Sequence, residues 1–167
     1  MRSSLTISGG GQPSDYGTIL PLSGPPSEPI PITFIERQGL RCIFHSPQPL
    51  EVGTLVLQEI NFERRFDHMQ QHTGQHLLSA IMDSMNIETL GWGIGKGEDP
   101  NYVDISQKPS PEQIQTIQAR CNEAIRNNVS ITVETPEDAN MGHLPDDYDT
   151  AKGVIRVIKI GDIDSNP

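Results

Sequence analysis

The stretch from Asp67 to Met85 restricts this chain more than any other, because Met69, Thr73, His76, Leu77, Ala80, Ile81 and Ser84 recur on one stripe at 3.6-residue spacing. That period predicts a helix from about His68 to Met85. Asp67 is its expected N-cap, since a carboxylate there accepts from the first unpaired amides. The same helix carries His72 and His76, four residues apart. Residues in that relation share a face, with Cβ atoms about 5–6 Å apart. Two imidazoles so placed can close on one metal ion, because zinc takes nitrogen ligands at about 2.0–2.1 Å in a tetrahedron.

The rest of the chain reads as strands and turns around this helix. Thr18–Leu22, Ile30–Ile35, Leu40–His45 and Thr54–Ile60 have strand character, with Glu36-Arg37-Gln38-Gly39 as a hairpin turn. Residues 1–60 therefore form a small all-β lobe. In residues 61–167 the long helix is followed by a loop around Trp92 (Gly91–Gly97) and a strand over Asn101–Ser106. A second helix starts with Ser110 as N-cap and Pro111 in the first turn, and runs through Ile114, Ile117, Cys121 and Ile125. Strands over Val129–Glu134 and Val154–Ile160 close the chain, with an acidic loop containing Gly142–Tyr148 between them. The expected class is α+β, with the second part ordered roughly β-α-β-α-β-β.

Length and composition exclude several classes. At 167 residues the chain suits one domain, or one domain with a small appended lobe. No apolar run approaches the ~20 residues that span a bilayer, and the first residues lack the apolar core of a signal peptide. Cys42 and Cys121 are far apart, so neither a disulfide framework nor a cysteine-only zinc site is indicated. An intracellular, cytoplasmic protein without a membrane partner is the expectation. The formal net charge is −10, and Arg64-Arg65 is the only adjacent basic pair. Nucleic-acid binders draw much of their affinity from a basic face. Charge alone therefore favours a protein with no nucleic-acid partner, DNA included, and any nucleic acid must be held by a small local contact or by something outside this chain.

Few residues besides the histidine pair are equipped for chemistry. A metalloprotease helix needs Glu after its first His as general base, and Thr73 stands there instead. His68, next to the expected cap, reads as a polar first-turn residue rather than a ligand. A closed zinc site needs four ligands and a catalytic one at least three from the protein. His45, Cys42, Cys121, His143 and the carboxylates are the remaining donors. None is paired at ligand spacing, and each reads better as structural, His143 being the least improbable ligand because it lies in a polar loop. Gly9-Gly10-Gly11 is not followed by the Lys-Ser/Thr of a phosphate loop, so it reads as a backbone device allowing positive φ. No Gly-x-Ser-x-Gly elbow is present, and covalent nucleophilic catalysis has no support.

Three segments together resemble one family. Gly9-Gly10-Gly11-Gln12-Pro13-Ser14-Asp15-Tyr16-Gly17 is similar to the GGGQP-x-D-x-G segment of alanyl-tRNA editing domains. Arg64 through Ala80 resembles that family's HxxxH helix, most closely the free-standing eukaryotic editing proteins. Leu144-Pro145-Asp146-Asp147 and Ile155 through Asn166 resemble the strand leading into its second metal motif, Cys-x-x-x-His. The resemblance implies a small N-terminal β-barrel-like lobe (1–60) with the GGGQP turn. It implies an editing domain (61–167) whose long HxxxH helix packs on an antiparallel sheet. It further implies zinc-dependent hydrolysis, in trans, of serine and in some members glycine mischarged on tRNA(Ala), with the acceptor end as the partner. His72 and His76 carry over as zinc ligands and Thr73 as a substrate contact. Gly9–Gly11 and Gln12 become part of the architecture that frames the site. The family's Cys-x-x-x-His is expected directly after Asn166, where the sequence reaches only Pro167, and its strands before the glycine triplet are also missing. A chain shortened at both ends, with two of four ligands and weak zinc binding, is the expectation. The alternative is a non-catalytic binding or regulatory module that keeps the fold.

Overall fold

The computed structural model describes Leu5 and residues 11–24, 28–38, 41–95, 99–135 and 156–166. Contacts divide the chain into two units, Met1–His72 with Trp92–Tyr102, and Thr73–Gly91 with Val103–Pro167. Among the described residues the class is α+β, with two helices and antiparallel sheets of two or three strands. Among the described residues these strands close no barrel.

In the first unit, β1 (Gly17–Pro21) lies between β2 (Ile30–Ile32) and β5 (Val56–Ile60), antiparallel to both. Gly17 pairs with Ile60 across β1 and β5, and a Cβ at Gly17 would fall 2.2 Å from the Glu59 carbonyl oxygen. Only glycine permits that approach. The expected strand Ile30–Ile35 is two strands, because the chain changes partners at Thr33: β2 pairs with β1, whereas β3 (Phe34–Gln38) pairs with β4 (Arg41–His45). Glu36, Arg37 and Gln38 consequently belong to the ladder, with Gln38 opposite Arg41, rather than to the turn. Leu5, Ile19, Ile32 and Ile35 are buried together, and Phe44, Val56 and Ile60 pack against them.

Helix α1 spans Phe62–Asp83, so it begins six residues before its expected start. Asn61, not Asp67, caps it: the Asn61 side-chain oxygen accepts from the Arg64 amide at 3.0 Å. Asp67 lies exposed within the helix, which ends at Asp83 and is closed by a turn through Asn86, a residue in the left-handed region at φ 59° whose following amide, Ile87 N, reaches back to the Met82 carbonyl. Trp92 lies in a strand, β6 (Thr89–Gly93), that pairs with β7 (Tyr102–Ile105), and not in a loop. Strand character there was hidden by Gly91 and Gly93. The Gly93 site has a reason to lack a side chain, since a Cβ would meet the Tyr102 ring at 2.9 Å.

The second unit is built on α2 (Pro111–Arg126), which starts as the sequence predicts. Ser110 Oγ accepts from the Gln113 amide at 3.2 Å, and the Gln113 side chain accepts from the Ser110 amide at 2.8 Å, a reciprocal capping box. Strands β8 (Ile131–Glu134), β9 (Val157–Ile160) and β10 (Asp164–Asn166) form one antiparallel sheet with β9 central. Leu77, Ile81 and Met82 of α1 bury with Ile87, with Ile117 and Ala124 of α2, and with Ile160 of β9. The order after residue 60 is thus α-β-β-α-β-β-β, one strand more than expected at the end. The 142–148 loop, Val154 and Ile155 lie outside the described residues. No helix of the described chain is long and apolar enough to cross a membrane.

Candidate metal site on the long helix

Within the first unit, the turn that carries Gln12 is fastened from both sides. Gly11 has φ 76°, a left-handed conformation that favours glycine, and a Cβ there would meet the Trp92 indole at 2.9 Å. The Ile94 amide donates to the Gly11 carbonyl. Ser14 and Asp15 are buried: Ser14 Oγ accepts from the Ile35 amide at 3.1 Å, and both Asp15 oxygens accept from the Arg65 guanidinium. Arg64 lies over the Tyr16 ring, 3.9 Å from its centroid. Two consecutive arginines of α1 thus hold the Ser14-Asp15-Tyr16 segment, and Gln12 is delivered to the helix about two turns further on.

There Gln12 Oε1 lies 2.9 Å from Nδ1 of His72, and the His72 ring lies 4.7 Å from the Trp92 ring. His72 is half-buried. At the sequence level the glycine-rich turn belongs to the frame of the site and Gln12 has no assigned contact; sixty residues separate it from His72, and no local pattern encodes such a pairing.

Within the second unit, His76 Nδ1 stands 3.5 Å from Asp164 Oδ2. Asp164 is mostly buried, and it borders an open cleft of about 470 Å³ lined also by Lys159, Gly161, Asp162, Ile163 and Ser165. Asp164 too was not among the expected site residues. Thr73 is half-buried on α1 directly after His72. Close by in the second unit, Ser79 Oγ accepts from Gln75 Nε2 and from Thr89 Oγ1, each at 2.8 Å.

His68 corrects an expectation. It is the seventh residue of α1, only 5% exposed, and neither ring nitrogen has a hydrogen-bond partner. Burial holds its pKa below the ordinary 6.5, assisted by the Arg64 charge and opposed by Asp67 and Asp15. It is a buried neutral imidazole, not a solvated first-turn residue, and at eight residues it lies about 80° round the helix from His76.

The other expected donors fall elsewhere. Cys42 is exposed in β4. His45, in the same strand, has Nε2 3.4 Å from Glu36 Oε1 and its ring against Phe34. Cys121 packs against the core of the second unit, and desolvation raises its thiol pKa. His143, Gly9 and Gly10 lie outside the described residues. Among the described residues no group of three or more His, Cys, Asp or Glu side chains gathers to hold a metal ion.

His72 and His76 ride on one unbroken helix, and each has Nδ1 turned to a side-chain oxygen. That is the arrangement found around metal-bound histidines, where the second ring nitrogen is engaged by an acceptor outside the metal's own ligands.

No family model matches the chain. Individual proteins do. An alanyl-tRNA editing protein of Saccharomyces cerevisiae is 36% identical over 182 residues, covering 95% of this chain and 40% of that protein. One from Xenopus laevis is 37% identical over 166 residues, covering 95% and 37%. The alanyl-tRNA editing protein AlaX-L from Pyrococcus horikoshii is 31% identical over 169 residues, covering 95% and 40%. An α+β chain with an HxxxH helix is thereby similar, over nearly all of its length, to part of several proteins named for alanyl-tRNA editing. It spans about two fifths of the length of the relatives it matches.

Proposed function

We propose that this chain carries the trans-editing chemistry of an aminoacyl-tRNA deacylase acting in the cytoplasm on serine, and secondarily glycine, mischarged on tRNA(Ala). In the reaction a water oxygen adds to the ester carbonyl carbon and the bond to the terminal ribose oxygen breaks. The ribose oxygen takes the proton, releasing the free amino acid and uncharged tRNA. His72 and His76 would hold one zinc ion, which when bound supplies Lewis acidity and lowers the pKa of water toward neutrality. Thr73, beside the first of these histidines, is the candidate contact for the substrate's hydroxyl. A polar group placed for that hydroxyl disfavours alanine, which would leave it unpaired. With a net charge of −10, recognition rests on the acceptor end of the tRNA rather than on a broad phosphate footprint.

The observation that carries this proposal is the His72/His76 pair on one helix of a chain homologous to alanyl-tRNA editing proteins. Release of labelled serine from mischarged tRNA(Ala) tests it. The chain should release serine above the spontaneous rate, and His72→Ala should abolish the difference. Release no faster than in buffer removes the hydrolase.

The alternative is a non-catalytic module with the same fold. It is favoured by the finding that, among the described residues, no group of three or more His, Cys, Asp or Glu side chains gathers to hold a metal ion. Metal content separates the two: stoichiometric zinc on protein purified without chelator favours the enzyme, and a folded metal-free chain favours the module.

A further inference from the structure

We infer that Gln12 is a positioning residue for His72, holding its imidazole as the Nδ1–H tautomer so that the Nε2 lone pair is the one presented to a metal ion. The inference rests on the zinc site proposed above, yet its central claim concerns the apo chain. An amide oxygen can only accept, so the 2.9 Å contact between Gln12 Oε1 and His72 Nδ1 requires the proton on Nδ1. A neutral imidazole with Nδ1 protonated has its lone pair on Nε2 and nowhere else. The isolated side chain favours the opposite tautomer, so the contact selects a form that would otherwise be the minor one.

The approach of Gln12 is fixed rather than fortuitous. Gly11 supplies the positive φ and lets the turn close on Trp92, while Ser14 and Asp15 are pinned by Ile35 and Arg65. Trp92 also flanks the His72 ring and limits its rotation. The glycine-rich segment, which at the sequence level is a backbone device, thereby acquires a chemical role at its fourth residue. Partners of this kind fix the ring orientation and raise the basicity of the ligating nitrogen, and their loss typically lowers metal affinity 10–100-fold.

Nitrogen-15 spectra of the imidazole side chains, with zinc affinity measured by competition against a chromophoric chelator, test the inference. In the wild-type chain His72 should show protonated Nδ1 and unprotonated Nε2. In Gln12→Leu the proton should move to Nε2, and zinc affinity should fall about 10–100-fold. Gln12→Glu, which keeps an acceptor oxygen, should restore the Nδ1–H form and most of the affinity. A wild-type His72 protonated on Nε2 overturns the inference, as does Gln12→Leu with tautomer and affinity both unchanged. A wild-type chain that shows Nδ1–H but takes up no zinc removes the zinc site alone and leaves the tautomer assignment supported.

Discussion

Arg65 of the long helix grips the carboxylate of Asp15, fifty residues earlier in the chain, with Nε 3.2 Å and 3.0 Å from its two oxygens. Asp15 is 1% exposed, and the Arg65 guanidinium offsets its charge in that buried place. Breaking one partner of a buried pair strands the other, which typically costs about 3–5 kcal/mol. Asp15→Ala should therefore lower the unfolding free energy by about that much, read as a shift in the urea midpoint. Asp15→Ala combined with Arg65→Met should recover a large part of the loss, because no unpaired charge remains. Equal destabilisation by the single and double variants would show that the pair is not the source.

Gly11→Ala should be felt beyond its own turn. The new methyl would enter at φ 76° and within 2.9 Å of the Trp92 indole, two independent penalties. The backbone term alone is about 1–2 kcal/mol. Expected are a lower melting temperature and a weakened Nδ1–H signature at His72, because Gln12 moves with the turn. Gly24→Ala is the control: that position also has a positive φ but meets nothing within 4 Å, so it should affect stability and leave His72 alone.

His68 makes folding sensitive to mild acid. Burial, first, and Arg64, second, lower its pKa in the folded state. A histidine so depressed leaves stability intact above its unfolded value of 6.5, and stability falls as the pH drops below that value toward the folded pKa. The urea midpoint should decline as the pH falls below about 6.5, and His68→Leu should flatten that decline. An unchanged slope in His68→Leu would assign the acid sensitivity to other groups.

The two thiols should separate in alkylation. Cys42 is exposed, whereas Cys121 is half-buried against the core and burial raises its pKa. Cys42 should react with a maleimide promptly at neutral pH, and Cys121 only slowly until urea opens the second unit. Peptide mapping of the labelled sites checks this, and equal rates in the folded chain would contradict the packing around Cys121.

What could be read from the sequence was local, and what could not was mostly remote. Ser110, Pro111 and Gln113 announced α2 because a helix start is encoded within four residues. The His72/His76 spacing announced a shared helical face for the same reason. The start of α1 was missed because its first turns leave Phe62 and Phe66 62% and 49% exposed, so the buried stripe that betrays a helix begins only at His68. Asn61, a good capping residue, was the available signal. Ile30–Ile35 looked like one strand since apolar content does not record a change of partner at Thr33. Gln12 and Asp164 stayed hidden because each meets its histidine through the tertiary fold rather than through sequence neighbours.

Trp92 is the only tryptophan in the chain, and its ring lies 4.7 Å from the His72 imidazole. An imidazolium or a metal-bound imidazole at that range alters indole emission. The chain therefore comes with a built-in optical reporter, so events at His72 can be titrated by fluorescence on unlabelled protein.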